Sequence, residues 1–90
     1  NCLAAHDAVS DAAVFAMPDR YYGEVPAAAV VLRGEVRSDE LADHCRARLA
    51  RFKVPVQWFA LETFPKTASG KIRKVELVEM ATAGRLPNLP

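Results

Sequence analysis

The strongest constraint on the fold is a pair of apolar runs separated by a turn-forming segment. The first run covers residues 12–17 and the second covers residues 27–32, and both have the length of a strand. Pro18-Asp19 and then Tyr21-Tyr22-Gly23 interrupt the chain between them. The pattern therefore predicts two paired strands. Because the first run is apolar at both alternating positions, we expect both of its faces to be covered, as in an inner strand.

A helix is predicted over residues 38–49. Ser38 is expected to cap its N-terminus, because a serine side chain can accept a hydrogen bond from a free backbone N–H group there. Leu41, Cys45 and Leu49 recur every four residues and predict one buried stripe along this helix.

The flanking segments complete the predicted fold. We expect residues 2–6 to end a helix that begins before Asn1, and residues 7–11 to form a polar break. We also expect a third strand over residues 56–61, a loop over 62–70, a closing helix over 71–83 with Val75, Val78 and Ala81 on its buried face, and a tail over 84–90. The predicted fold class is α+β, a small single domain with a central sheet of about three strands flanked by helices.

Length and charge exclude several functions. The chain has 90 residues, 12 basic and 11 acidic, with a net charge of +1. One small domain is expected at this length, and the balanced charge argues against a general nucleic-acid binder. No apolar run approaches the roughly 20 residues that span a bilayer, so no membrane span is predicted. The start without methionine, apparently inside a structured segment, leads us to expect a piece of a longer protein.

The cysteines and histidines do not form a recognisable metal motif. Cys2 and Cys45 lie far apart in the sequence, and His6 and His44 have no ligand spacing to each other. We therefore expect neither a zinc site nor a disulfide framework, and we place the protein in a reducing cytoplasm. Cys45 is expected in the core.

One segment, residues 65–74, is a candidate anion-binding loop. Lys71 supplies a compact positive charge, and Gly70 before it allows backbone angles denied to other residues. Thr67 and Ser69 can hydrogen-bond the loop to itself. A nucleotide-binding P-loop is excluded, because Pro65 stands where the first glycine of that motif belongs and Ile72 stands where Ser or Thr should follow the lysine. From spacing alone a solvated basic turn is the simpler interpretation.

The same segment resembles the final motif of the adenylate-forming superfamily, which includes acyl-CoA synthetases, luciferases and the adenylation domains of peptide synthetases. The resemblance extends along nearly the whole chain in the family's order. It rests on His6-Asp7-Ala8-Val9, Ala12-Ala13-Val14, Pro18-Asp19, Tyr22-Gly23-Glu24, Phe52-Lys53-Val54-Pro55 and the loop Pro65-Lys66-Thr67-Ala68-Ser69-Gly70-Lys71.

This resemblance implies a mobile C-terminal domain, residues 1–90, of an AMP-forming carboxylate–CoA ligase for a fatty acid or another acyl group. It implies that Lys71 is the catalytic lysine of adenylation, with ATP, Mg²⁺ and CoA used by the full-length enzyme. The hinge and the large nucleotide-binding domain precede Asn1, so the chain alone is expected to be inactive and to bind none of these tightly. Arg46 is the preferred candidate among the arginines for contact with a CoA phosphate, although compensation of the helix dipole and solubility remain the simpler role. Lys66, Arg73 and Lys74 are interpreted as solvated charges.

Three alternatives stay open. The chain could belong to a peptide synthetase, although its loop resembles the CoA ligases more closely; a luciferase-like oxidase is less favoured. It could also act as a regulatory domain in which a lysine acetyltransferase neutralises Lys71. A small nucleic-acid-binding module would rest on the basic loop alone.

Overall fold

The computed structural model describes residues 2–90 and confirms the α+β class. No helix within these residues is long and apolar enough to cross a membrane. In chain order the elements are a 3₁₀ helix at Cys2–Ala5, β1 at Val9–Asp19, β2 at Gly23–Leu32, α1 at Ser38–Arg46, a 3₁₀ helix at Arg51–Lys53, β3 at Gln57–Leu61 and α2 at Lys74–Thr82.

The three strands form one sheet in the order β1-β2-β3. β1 and β2 make the expected antiparallel pair, with Ala13 opposite Ala29, whereas β3 runs parallel to β2, with Trp58 opposite Ala28. The prediction of an inner position for the first strand is wrong, because β1 lies at the edge. Apolar residues on both faces of β1 indicate that other elements pack above and below the sheet. This packing does not require a paired strand on each edge of β1.

Each face of the sheet carries its own apolar cluster. We call them the α1-side cluster and the α2-side cluster after the helix that covers each face. On β2, Ala28 and Val30 face the first and Ala27 and Ala29 face the second. The alternation of side chains along a strand explains this division, since successive residues point to opposite faces.

The C-terminal segment packs against the sheet. Leu89 N–H donates to the Trp58 carbonyl at 3.0 Å, and Ala60 N–H donates to the Pro87 carbonyl at 3.0 Å, so residues 87–89 cover the outer edge of β3. Leu86 and Leu89 are buried. The predicted tail is thus an ordered strand-like cover of an edge that would otherwise present unpaired backbone groups.

The same segment explains why Ser38 is not the cap of α1. The capping position is Arg37, whose side chain makes no capping hydrogen bond, and Ser38 is the first residue of the helix. Its N–H donates to the Pro90 carbonyl at 2.6 Å. A distant carbonyl therefore satisfies a donor at the helix N-terminus that the serine side chain was expected to satisfy.

Several predicted boundaries, and one residue of a predicted helix face, differ from the structure. β2 begins at Gly23, four residues before the predicted start at residue 27. β1 already begins within the expected polar break, α1 ends at Arg46, and α2 begins at Lys74 because Ile72 pairs with Lys66 in the preceding loop. On α2 the buried residues are Leu77 and Ala81, while Val75 is 75% exposed. The predicted face is therefore correct at Ala81 and at Val78, which packs against the α2-side cluster, and wrong at Val75.

Substitutions on α2 test this face. We expect Leu77→Ala to lower the free energy of unfolding by about 2–4 kcal/mol, because it removes a fully buried side chain from a packed core. Val75→Ala should change it by less than about 0.5 kcal/mol, because Val75 lies in solvent. Urea denaturation followed by circular dichroism measures both, and equal losses in the two variants would contradict the assigned face.

Candidate functional site

The candidate loop is a small hairpin. Lys66 and Ile72 form an antiparallel bridge, and Thr67 N–H donates to the Lys71 carbonyl at 2.8 Å. Gly70 N–H donates to the Thr67 carbonyl at 2.9 Å and closes a four-residue turn at the tip. The backbone on both sides of Lys71 is therefore held by hydrogen bonds.

Side chains of the loop add to this support. The Thr67 hydroxyl oxygen accepts a hydrogen bond from Lys71 N–H at 3.2 Å and lies 3.0 Å from the Ser69 hydroxyl oxygen. Gly70 has φ +88°, in the left-handed region that favours glycine. The residues that the sequence predicts as loop-shaping are thus brought together around Lys71.

The base of the hairpin is anchored in the α2-side cluster. Phe64 is buried before the loop, and Ile72 packs against the same cluster after it. Since neighbouring residues of an extended segment point in opposite directions, the inward side chain of Ile72 directs Lys71 outward. Lys71 is exposed, and within residues 2–90 its ammonium has no ion-pair partner.

Two of the basic side chains near Lys71 lie close to carboxylates. Lys66 Nζ lies 3.5 Å from a carboxylate oxygen of Asp11, which ties the loop to β1, and Arg73 Nε lies 4.0 Å from a Glu76 carboxylate oxygen. Sequence reasoning missed Asp11, because nothing in the spacing indicates that β1 passes beside the loop. Lys71 and Lys74 are the lysines of this segment that lack an ion pair in the described part of the chain.

Arg46, the candidate CoA contact, is the last residue of α1. Its side chain is 61% exposed, and its guanidinium pairs with Asp43 one turn earlier. Arg48 donates to the His44 carbonyl at 2.9 Å, so Arg48 serves the C-terminal end of the helix dipole. The Arg46 side chain is accessible to a ligand that can compete with Asp43.

Lys71 and Arg46 belong to opposite sides of the sheet. The lysine hairpin is rooted in the α2-side cluster through Ile72, whereas the helix that carries Arg46 covers the other face. The structure brings Thr67, Ser69 and Gly70 together with Lys71 and keeps Arg46 apart from them. One ligand position cannot engage both basic groups unless it extends around the sheet.

The cysteines and histidines meet in space although they are separated in sequence. The sulfur atoms of Cys2 and Cys45 lie 3.3 Å apart, and the rings of His6 and His44 lie 5.1 Å apart in an edge-to-face arrangement. The sequence spacing did not indicate this proximity, which arises because the first 3₁₀ helix packs against α1. No group of three potential metal ligands occurs among residues 2–90.

The chain is similar in sequence to one part of known CoA ligases. The model of the family described as the AMP-binding enzyme C-terminal domain matches residues 1–71. The chain is 40% identical over 75 residues to a 2-succinylbenzoate–CoA ligase of Bacillus subtilis, covering 83% of this chain and 15% of that protein. The chain thus spans about one sixth of the length of such relatives.

Two solved structures share the fold. A Mycobacterium tuberculosis fatty acyl CoA synthetase matches with a TM-score of 0.86 and 36% identity, covering 92% of this chain and 17% of that one. The Bacillus subtilis o-succinylbenzoate CoA synthetase, in complex with an acyl-adenylate intermediate, matches with a TM-score of 0.82 and 39% identity, covering 84% of this chain and 16% of that one.

A pair of glycine substitutions tests the loop geometry. A Cβ on Gly70 would meet no atom within 4 Å, so Gly70→Ala is expected to cost about 1–2 kcal/mol of unfolding free energy through its backbone angle alone. Gly34→Ala is the matched control, because its Cβ would make ordinary contacts and its φ is not positive. Urea denaturation compares the two, and an unchanged stability in Gly70→Ala would contradict the described turn.

Proposed function

The chain belongs to the AMP-binding enzyme C-terminal domain family, and from that premise we propose that it is the mobile C-terminal domain of an AMP-forming carboxylate–CoA ligase. The observation that carries this proposal is the hairpin that presents Lys71. Its backbone is hydrogen-bonded on both sides, while its ammonium is exposed and unpaired within the described residues. A lysine in this state is available to anionic substrates supplied by another domain.

In the proposed first step, Lys71 assists the joining of two anions. A carboxylate oxygen attacks the α-phosphorus of ATP, the bond from that phosphorus to the bridging oxygen breaks, and pyrophosphate leaves. The ammonium of Lys71 lies between the carboxylate and the α-phosphate, where it offsets their repulsion and orients the attack. The charge is effective because it is positioned before the reaction begins.

The hairpin restricts the mobility of the Lys71 backbone. Thr67 accepts a hydrogen bond from the Lys71 backbone N–H, and Ile72 is anchored in the core beside it. The first turn of α2 begins three residues after Lys71, so the positive end of a helix dipole adjoins the loop. The helix dipole favours an anion at this end of the domain, and the anchored backbone keeps Lys71 in place to contact it.

In the proposed second step, the thiol of CoA attacks the acyl carbon of the adenylate and AMP leaves. Because Lys71 and Arg46 belong to opposite sides of the sheet, we propose that the domain rotates between the steps. One orientation brings Lys71 to ATP, and the other turns the face with α1 toward CoA. Arg46 is then positioned to exchange its partner Asp43 for a CoA phosphate.

The remaining parts of the active site are assigned to a large domain of the same polypeptide. Residues 2–90 offer no cluster of three potential metal ligands, so Mg²⁺ is proposed to be held with ATP by that domain. Exposed aromatic side chains support a further contact surface, since Tyr21 is 91% exposed and Phe52 is 77% exposed. The chain alone is therefore proposed to be inactive, and the full enzyme is proposed to act in the cytoplasm.

Two other assignments are proposed for the same domain. A peptide-synthetase adenylation domain would transfer its acyl group to a carrier protein and not to CoA. Acetylation of Lys71 by a lysine acetyltransferase is proposed as a means of regulation, because it removes the charge on which adenylation depends.

We expect Lys71→Ala in the full-length ligase to slow carboxylate-dependent ATP–pyrophosphate exchange about a hundredfold or more, because a preorganised charge is lost from the transition state. Thioester formation from a supplied acyl-adenylate and CoA should change far less. Running the exchange assay over fatty, aromatic and short-chain acids also identifies the acid.

Lys74→Ala is the matched control, since Lys74 is exposed and also lacks an ion pair in the described chain. Its rate of ATP–pyrophosphate exchange should stay within a few-fold of the rate of the unchanged protein. Normal exchange in Lys71→Ala, or an equal loss in both variants, would contradict the role of Lys71. Acyl transfer to a carrier protein in place of CoA would instead support the peptide-synthetase assignment.

A separate substitution tests the proposed CoA contact. Arg46→Ala is expected to raise the KM for CoA about tenfold and to leave ATP–pyrophosphate exchange unchanged, because one charge-assisted hydrogen bond to a phosphate is lost. Arg37→Ala, which removes an exposed and ion-paired arginine before α1, should change neither quantity. An unaltered KM for CoA in Arg46→Ala would show that this arginine serves only the helix.

A further inference from the structure

Two thiols from distant parts of the sequence lie in contact. The Cys2 and Cys45 sulfur atoms are 3.3 Å apart across a separation of 43 residues, and both are free cysteines. Cys45 is fully buried on α1, and Cys2, in the first 3₁₀ helix, is partly exposed. The adenylation and thioester chemistry proposed above uses neither of them.

Three contacts hold the sulfur atoms together. Leu3, next to Cys2, is fully buried in the α1-side cluster. The His44 ring nitrogen Nε2 lies 2.8 Å from the Cys2 carbonyl oxygen, and the His6 ring packs against the His44 ring. These contacts join the N-terminal 3₁₀ helix, and His6 immediately after it, to α1 and its cluster. The proximity of the thiols therefore follows from how these two elements pack.

The distance is suited to a covalent bond between the sulfur atoms. A disulfide has an S–S length of about 2.04 Å, so the two atoms need to approach by about 1.3 Å. The 3₁₀ helix that carries Cys2 is four residues long and the Cys2 side chain is not fully buried, so a small shift of this side chain suffices. A metal ion bound between the two sulfur atoms is less favoured than a disulfide, since residues 2–90 provide no third ligand beside them.

We propose that Cys2 and Cys45 form an oxidisable dithiol, a modification site at which a peroxide produces a disulfide within the domain. The Cys2 sulfur attacks one oxygen of hydrogen peroxide, the O–O bond breaks, and water and a Cys2 sulfenic acid result. The Cys45 sulfur then attacks the Cys2 sulfur, and the hydroxyl group leaves as water with the Cys45 proton. In total the thiols lose two electrons and two protons, and the peroxide is reduced to two waters.

Their surroundings assign different roles to the two sulfurs. A largely apolar groove of about 380 Å³ is lined by both cysteines and by Leu3, Val14 and Leu49, and it gives a small oxidant access to Cys2. Burial, together with the contact to Cys2, raises the pKa of the Cys45 thiol to about 12, although Arg48 opposes the shift. Burial shields Cys45 from an oxidant in solution, and its contact with the Cys2 sulfur places it to resolve a sulfenic acid formed there.

The expected consequence is a covalent tie between the N-terminal 3₁₀ helix and α1. The crosslink restricts the unfolded chain over the 43 residues that separate the cysteines, so the oxidised protein should have a higher denaturation midpoint than the reduced protein. Dithiothreitol should return the midpoint to its original value.

The test uses the full-length protein that carries this chain, treated with hydrogen peroxide, alkylated, digested with trypsin without reduction and examined by mass spectrometry. We expect the peptide Ser38–Arg46, which contains Cys45, to be linked to the peptide that contains Cys2. The linked species should be lighter than the two reduced peptides by two hydrogens. Its yield should not change on tenfold dilution, because the reaction occurs within one molecule.

Single variants separate the two roles. In Cys45→Ala a dimedone-reactive sulfenic acid should accumulate on Cys2, and in Cys2→Ala the buried Cys45 should stay reduced. The proposal is overturned if the linked peptide is absent from the oxidised protein, or if its yield falls with dilution as expected for a bond between molecules. The experiment detects a disulfide-linked pair of peptides and not an enzymatic activity. Failure of the proposed ligase activity therefore does not affect it.

Discussion

The structure depends on a central strand that is buried from both sides. Residues Ala27, Ala28, Ala29 and Val30 of β2 are all fully buried. β2 pairs with β1 in the antiparallel sense and with β3 in the parallel sense, and its side chains alternate between the two apolar clusters. The parallel pairing requires a crossover, which α1 provides, and the second face then requires its own cover, which α2 provides. The layered arrangement follows from this strand.

The position of the candidate site follows from the same layering. The lysine hairpin lies between β3 and α2, and its inward residues Phe64 and Ile72 bind it to the α2-side cluster. Lys71 is directed outward from a base that cannot easily shift, whereas Arg46 ends the helix on the other face. A domain with different chemical groups on two faces is suited to the rotation between two steps that we propose.

Much of this could be predicted from local patterns. Apolar runs and the residues that interrupt them indicate the hairpin of β1 and β2, and the spacing of Leu41 and Cys45 indicates the buried side of α1. The loop around Lys71 was recognisable because glycine and hydroxyl residues act over a few positions. These features depend on neighbours in the sequence.

Other features depend on contacts between distant segments and could not be predicted in this way. Pro90 satisfies the donor at Ser38, residues 87–89 cover β3, and Cys2 meets Cys45 because a short 3₁₀ helix packs on α1. Val75 was assigned to the buried face of its helix, whereas α2 begins only at Lys74 and Val75, in its first turn, lies in solvent. In each case tertiary packing determined the outcome.

The most direct test of the central claim, the proposed role of Lys71 in adenylation, is a crystal structure of the full-length protein with a carboxylic acid that it is found to activate and α,β-methylene-ATP, which cannot release pyrophosphate. The account predicts that Lys71 Nζ lies about 2.7–2.9 Å from an oxygen of the α-phosphate or the carboxylate, with the hairpin unchanged. Lys71 in solvent, with a different cation between the two substrates, would contradict it.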